Sequence, residues 1–310
     1  MSICTESQVN IKAGRYGFPS AYVWLSLMVL LWGSSWPVTK IALLNIPPLW
    51  LASIRFSSAA LCLFFYLAAR GQLKLPVAKD LPIIASVGFL QMMAFTGLGM
   101  VAMVHIDTSR AVLLAYTTPL WCVIAALVVF RESPSRMQVV ALIIGLIGVG
   151  VVCSPGELDW VSKETAVGAV FLILAAISWA FVILHVKKHN WVSSPLALAP
   201  WQMLLATIPL SVAAYVIEGS PAQIEFNAER LGEIFFIGPV ATSVCFVISA
   251  EYGRRISTFG MSNFTLGVPL TGILISYVVL DTPISSVFLL GLALVVFAVV
   301  VSALAARSGK

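Results

Sequence analysis

The chain carries very little charge. Only 10% of its 310 residues are Asp, Glu, Lys or Arg, against about 25% in an ordinary soluble domain. With 60% hydrophobic residues and a mean hydropathy of +1.01, this is a composition suited to lipid. Other absences exclude whole function classes. There is no P-loop, so this chain alone is not an ATP-driven pump, and there is no H-E-x-x-H, G-x-S-x-G or Asp-rich metal motif. No catalytic residue, metal or cofactor is therefore expected. Five cysteines (Cys4, Cys62, Cys122, Cys153, Cys245) form no C-x-x-C and are odd in number. They read as small apolar packing residues, not disulfides or ligands. The first 19 residues are polar, with Lys12 and Arg15, and lack the apolar segment of a cleavable signal peptide, so the first span is expected to stay.

Acidic groups are missing where a proton relay would need them. None of the 13 Asp and Glu falls mid-way along an apolar run; Asp107, Glu233 and Glu251 sit at run ends. Membrane proton relays use buried Asp, Glu or His, so coupling through a midplane carboxylate is not expected. His185 and His189 lie near one end of a run and His105 near the end of another.

What is present is a series of apolar runs long enough to cross the ~30 Å hydrocarbon layer: 20–43, 48–69, 81–104, 109–130, 137–154, 166–186, 196–217, 231–252, 258–280 and 284–306. Backbone groups in lipid must bond internally, so each run is expected to be a helix. The fold class is an all-α integral membrane protein, ten transmembrane helices in two inverted five-helix repeats. Its divisions are a tail 1–19, a first repeat 20–154, a linker 155–165, a second repeat 166–306 and a tail 307–310. The pI of about 9.0 does not point to nucleic acid, because the basic residues sit in short loops. Placing both termini in the cytoplasm puts 13 of the 18 Lys and Arg inside and three outside (Arg110, Lys163, Arg230). Lys40 and Arg55 fall within spans.

The two halves repeat. At an offset of 147, Trp32, Lys40, Pro48, Leu49, Leu51 and Ala52 meet Trp179, Lys187, Pro195, Leu196, Leu198 and Ala199. At 150, Leu81, Ile84, Gly88, Pro119, Leu120, Val128 and Val129 meet Leu231, Ile234, Gly238, Pro269, Leu270, Val278 and Val279. Five spans per copy invert the second copy, a construction found in transporters whose sites lie where the halves meet. The loop charges comply: Arg131–Arg136 is basic, whereas its partner Asp281-Thr282-Pro283 has no Lys or Arg.

Candidate pathway residues follow from depth and symmetry. Arg55 lies about 10 Å inside the second span at ~1.5 Å per residue, and its repeat partner is Gln202. It either attracts a substrate carboxylate or locks adjacent helices through their carbonyls. Pro119 and Pro269 each remove an amide donor and free a carbonyl one turn earlier. Those carbonyls then face substrate, are satisfied by neighbouring Thr hydroxyls, or mark plain kinks. Trp32 and Trp179 recur in both copies, and Trp36 and Tyr116 add aromatic surface at similar depth. Ser35, Gln91 and Asn263 add neutral polar groups, as does Ser34. Trp24, Trp50, Trp160 and Trp191 suit the membrane interface. Gly97, Gly99, Gly145, Gly148 and Gly150 suit close helix packing.

The segments LLWGSSWPVTKIAL (30–43), SIRFSSAAL (53–61) and P-L…VVFRES (119–133) resemble EamA-type members of the drug/metabolite transporter superfamily. AAISWAFVILHVKK (175–188) and P-L…YVVLDTP (269–283) repeat them more loosely. Asp281 departs from the pattern, where Glu is frequent. The resemblance implies inverted five-helix repeats around a central cavity and movement of small metabolites, often outward. The expected function is a secondary carrier of small organic metabolites, amino acids or related amphiphilic compounds, across the inner membrane. Alternating access is the expected mechanism and export the favoured direction. Its expected partners are a small-molecule substrate and the lipid bilayer, with no nucleic acid and no obligate protein partner. The alternatives are a membrane-embedded enzyme acting on lipid, or an importer or exchanger of the same fold.

Overall fold

The computed structural model describes residues 19–129, 131, 135–159, 161–252 and 258–308, apart from the side chains at 19, 20, 258–266, 302, 303 and 305–308. Among them the chain is helical, with no strand. Helices α1 (Pro19–Ala42) and α2 (Pro48–Ala69) are continuous. A composite helix follows: α3 (Leu81–Ser86), a π-helical segment Val87–Phe95, and α4 (Thr96–His105). The next is broken into α5 (Thr108–Ala115) and α6 (Thr118–Val128). Then come α7 (Arg136–Val152), α8 (Lys163–Lys188) and α9 (Pro195–Glu218). A second composite consists of α10 (Ala228–Phe235), a π-helical segment Phe236–Val244, and α11 (Cys245–Tyr252). Helices α12 (Thr258–Leu280) and α13 (Ser286–Ser308) complete the described chain.

Seven of these helical segments are long and apolar enough to cross a membrane: 21–42, 48–69, 78–105, 108–128, 163–188, 195–218 and 228–252. The other three expected spans are helical as well, but their apolar stretches among the described residues are shorter: Arg136–Val152, Gly267–Leu280 and Ser286–Val301. The 17 residues of α7 measure about 26 Å at 1.5 Å per residue, a little under the hydrocarbon thickness.

Local chemistry sets the helix ends. Ser135 and Gln138 form a reciprocal capping box on α7, Ser162 caps α8, and Ser194 caps α9 with Pro195 in its first turn. The N-terminus of α2 has only Pro47 before it, and a remote carboxylate does the capping. Glu218, at the end of α9, accepts from the Leu49 and Trp50 amides at 2.8 and 3.0 Å, and Trp50 Nε1 donates to the Gly219 carbonyl at 3.0 Å. This ties the expected interface residue Trp50 to α9. Glu218→Ala is expected to lower stability by about 1–2 kcal/mol through loss of a charged N-cap, read as a lower unfolding midpoint in detergent. An unchanged midpoint would contradict it.

The main contacts come in mates related by the repeat. Helix α2 packs along α9 and α7 along α13, each pairing equivalent elements. The composite helix 81–105 packs on α8 and α9, while its counterpart 228–252 packs on α1 and α2. The two π-helical segments occupy equivalent positions and carry the equivalent Gly88 and Gly238. A Cβ on Gly88 would stand 3.1 Å from the Gln202 carbonyl oxygen, and one on Gly238 would stand 3.0 Å from that of Arg55. Each repeat thus presses a π-helical glycine onto the backbone of the other's polar residue. Between α7 and α13, Gly148 and Gly291 press on each other: a Cβ on either would stand 3.0–3.1 Å from the other's carbonyl oxygen. Gly150 and Gly99, expected to serve packing, instead have no heavy atom within 4 Å of a built Cβ, so no helix approaches them that closely. Repeat symmetry extends to the helix ends: Arg131 and Asp281, 150 residues apart, have φ of 52° and 49°. Asp tolerates this left-handed conformation better than most residues, which accounts for the exposed Asp281 at its helix end.

Candidate central cavity

A cavity of about 460 Å³ lies between the two repeats, within the ~300–1,000 Å³ range of small-molecule sites. Of the residues singled out from sequence, Trp32, Ser35, Trp36, Arg55, Gln91, Tyr116, Pro119, Trp179 and Pro269 line it. Gln202 does not. It is 2% exposed and lies where α9 meets the 81–105 helix, with Gly88 against its carbonyl. Neighbouring Met203 reaches the cavity instead, because successive helical residues point about 100° apart. The side chain of Asn263 lies outside the described residues, as does Trp160. Ser34 is also away from the cavity, its hydroxyl donating to the Leu30 carbonyl at 2.6 Å.

The aromatic wall is organised around Tyr116. Its ring lies 6.1 Å from Trp36 and meets Trp179 edge-on at 5.8 Å, and Phe95 stands 4.8 Å from Trp179. These distances fall in the range where rings pack favourably. Tyr116 holds this place because the helix breaks beside it. Pro119 has no amide to give, and α6 restarts with it in the first turn. The Ala115 carbonyl one turn earlier is taken by the Thr118 hydroxyl at 2.8 Å, and the Leu114 carbonyl by that of Thr117 at 2.6 Å. The Thr-hydroxyl alternative therefore describes the first half. Pro269 does not mirror it, since α12 runs through as one helix.

Arg55 meets Thr242 across the repeats, its Nε donating to the hydroxyl oxygen at 2.9 Å. No carboxylate pairs with it among the described residues. Sequence reasoning missed Thr242, although a Thr-Ser pair inside an apolar run was a usable signal. Thr242 is also the repeat mate of Met92, and both line the cavity. It missed the Met92, Met100 and Met103 surface too, since a flexible thioether looks like core in one dimension.

The end of the bundle beside α5 is closed by polar ties. All eight residues of α5 are buried, whereas only Thr118, Leu120 and Ala125 of the 11 in α6 are. Arg110, counted from sequence among the three outside charges, is buried in α5. It binds Asp107 at 2.6 Å and Glu157 at 2.5 Å, and its Cζ lies 5.6 Å from the Phe288 ring. Ser285 donates to the same Glu157 and caps α13, while Ser109 and Thr282 share a 2.9 Å hydrogen bond. Lys40, which falls within a span, donates to the Met103 and Ile106 carbonyls and so fastens α1 to the end of α4. Toward the other end, Asp80 is fully buried and accepts from His189 Nε2 at 3.1 Å and from the Val192 and Ser193 amides at 3.2 and 2.8 Å. No group of three or more His, Cys, Asp or Glu fit to hold a metal occurs among the described residues.

Comparison with known proteins gives this geometry a context. A crystal structure 20% identical in sequence superposes with a TM-score of 0.64, covering 93% of this chain and 97% of its own, which establishes the shared fold. The chain is 25% identical over 278 residues to a "Probable amino-acid metabolite efflux pump" of Escherichia coli K12, covering 87% of this chain and 90% of that protein. It is 24% identical over 272 residues to the "Uncharacterized transporter YvbV" of Bacillus subtilis strain 168, covering 88% of each. The model of the EamA-like transporter family matches twice, over residues 19–154 and 166–304, on either side of the segment that carries Glu157. With nearly the whole chain accounted for by two copies of that unit, this protein belongs to the EamA-like transporter family.

Proposed function

We propose that the protein is a secondary carrier of small organic metabolites, amino acids or related amphiphilic compounds, working by alternating access in the inner membrane. The observation that carries this reading is the central cavity, lined by both repeats and walled by Trp36, Tyr116 and Trp179 around the Arg55 guanidinium. In this reading the chain crosses the membrane ten times as two inverted repeats of five, 20–154 and 166–306, with both termini cytoplasmic. The name of the Escherichia coli relative supports export of amino-acid metabolites. The buried α5 and its polar ties support a state closed on the periplasmic side, with α6 on the looser cytoplasmic side.

Proteoliposomes containing only the purified protein are expected to take up labelled amino-acid metabolites saturably, with competition by unlabelled compound. Uptake no greater than in empty liposomes across a metabolite panel would defeat the proposal. For orientation, single cysteines in 155–165 and 218–230 are expected to react with an impermeant maleimide in intact cells. Cysteines at the termini are expected to react only after permeabilisation. The reverse pattern would invert the topology.

A further inference from the structure

We infer that Arg55 is the anchor for a substrate carboxylate, and that the cavity selects small monocarboxylates with an apolar or aromatic body over cations. The inference rests on the carrier reading and names its substrate class. The geometry is specific. Among the described residues Arg55 commits only Nε to a hydrogen bond, its 2.9 Å bond to Thr242, while its Cζ lies 5.9 Å from the Phe56 ring. The Thr242 hydroxyl in turn donates at 2.8 Å to the Ile237 carbonyl, five residues back along the π-helical turn. That chain of bonds fixes the plane of the guanidinium. Its two terminal nitrogens have no hydrogen bond or ion pair among the described residues and are not among the buried unsatisfied atoms. They therefore present the paired donors that match the two oxygens of a carboxylate. A helix lock would have used those nitrogens on carbonyls of adjacent helices.

The rest of the lining completes the selection. No Asp or Glu lines the cavity among the described residues. Among the described residues a cation entering meets the fixed positive charge of Arg55 and no fixed negative one, in surroundings of low dielectric where such repulsion counts. A zwitterion leaves its ammonium with only ring faces and neutral oxygens. A monoanion satisfies Arg55 and leaves the remainder of its body to the aromatic wall. Lysine at position 55 would keep the charge and lose the fork.

A matched series with one phenyl body tests this: N-acetylphenylalanine (anion), phenylalanine (zwitterion) and phenylalaninamide (cation). Their affinities are measured by tryptophan fluorescence on the purified full-length protein. The expected order is anion, then zwitterion, then cation. Arg55→Gln is expected to weaken the anion by about 10- to 100-fold, the scale of a lost charge-assisted pair, and to flatten the series. Arg55→Lys is expected to restore part of the order. Thr242→Val, which frees Nε without removing the charge, is expected to weaken the anion by less. A wild-type protein that binds the three alike, prefers the cation or binds none of them overturns the inference without any variant. So does Arg55→Gln with the original order intact. Failure of the carrier reading looks different: ligands bind in the expected order, yet proteoliposomes transport none of them.

Discussion

Replacing Arg110 by alanine is expected to cost about 3–5 kcal/mol of stability, because it strands the buried carboxylate of Glu157. The Arg110 side chain is 8% exposed and that of Glu157 3%. Asp107 and Ser285 complete the cluster, so one guanidinium holds together α5, the segment joining the repeats, and the start of α13. Removing it leaves Glu157 facing Ser285 with no cation within ion-pairing distance among the described residues. The pair itself need not be worth that much: charges of opposite sign taken from water together recover only part of their desolvation. The double substitution Arg110→Met with Glu157→Leu is therefore expected to be much less damaging than Arg110→Ala. Chemical unfolding of the three proteins in detergent measures the difference. A single mutant as stable as the wild type would show that the cluster is solvated and weak.

Gly238→Val is expected to damage both stability and substrate binding. A Cβ at this position meets Ser58 Oγ at 2.1 Å and the Arg55 carbonyl oxygen at 3.0 Å. The serine can rotate away, but the backbone of α2 cannot, so the interface with the 228–252 helix has to open. Overpacking of this kind costs about 1–3 kcal/mol. The same displacement separates Arg55 from Thr242, so carboxylate affinity is expected to fall as well, by less than for Arg55→Gln, because the guanidinium loses its orientation but keeps its charge. Gly88→Val makes the mate's contact with Gln202 at 3.1 Å and is expected to lower the unfolding midpoint with a smaller effect on affinity, because Gln202 does not line the cavity. Equal losses of affinity in the two variants would mean that Gly238 acts through general stability alone.

Much of this was legible because lipid imposes simple rules. Apolar runs of membrane length, the offsets of 147 and 150, and the pairing of Gly88 with Gly238 and Arg131 with Asp281 can all be read in one dimension. Depth along a run is legible too, which is why Trp32, Trp36, Tyr116 and Trp179 could be nominated for the cavity. Rotation about a run is not, when every face is apolar. Arg55 and Gln202 sit at equivalent depth in equivalent helices, yet only Arg55 lines the cavity. Nor does a proline by itself reveal whether it breaks a helix. Pro119 follows Thr117 and Thr118, whose hydroxyls take the freed carbonyls, and there the helix parts. Pro269 lies in a helix that continues.

Taken alone, the sequence determined a helical membrane protein of two repeated halves, with its aromatic and polar residues at matching depths. Both properties follow from composition and spacing, which lipid reads through chain length and hydrophobicity. Only the tertiary structure decided which faces turn inward, that Arg110 is a buried tie, and that Arg55 holds Thr242 and leaves its other nitrogens without a hydrogen bond among the described residues. The placement of Arg55 against Thr242 depends on π-helical winding and on the Gly238 contact between repeats, and that of Arg110 on the ion pairs around it. Each brings together side chains from different runs, 187 residues apart for Arg55 and Thr242 and 47 for Arg110 and Glu157, by amounts that no single run of sequence contains.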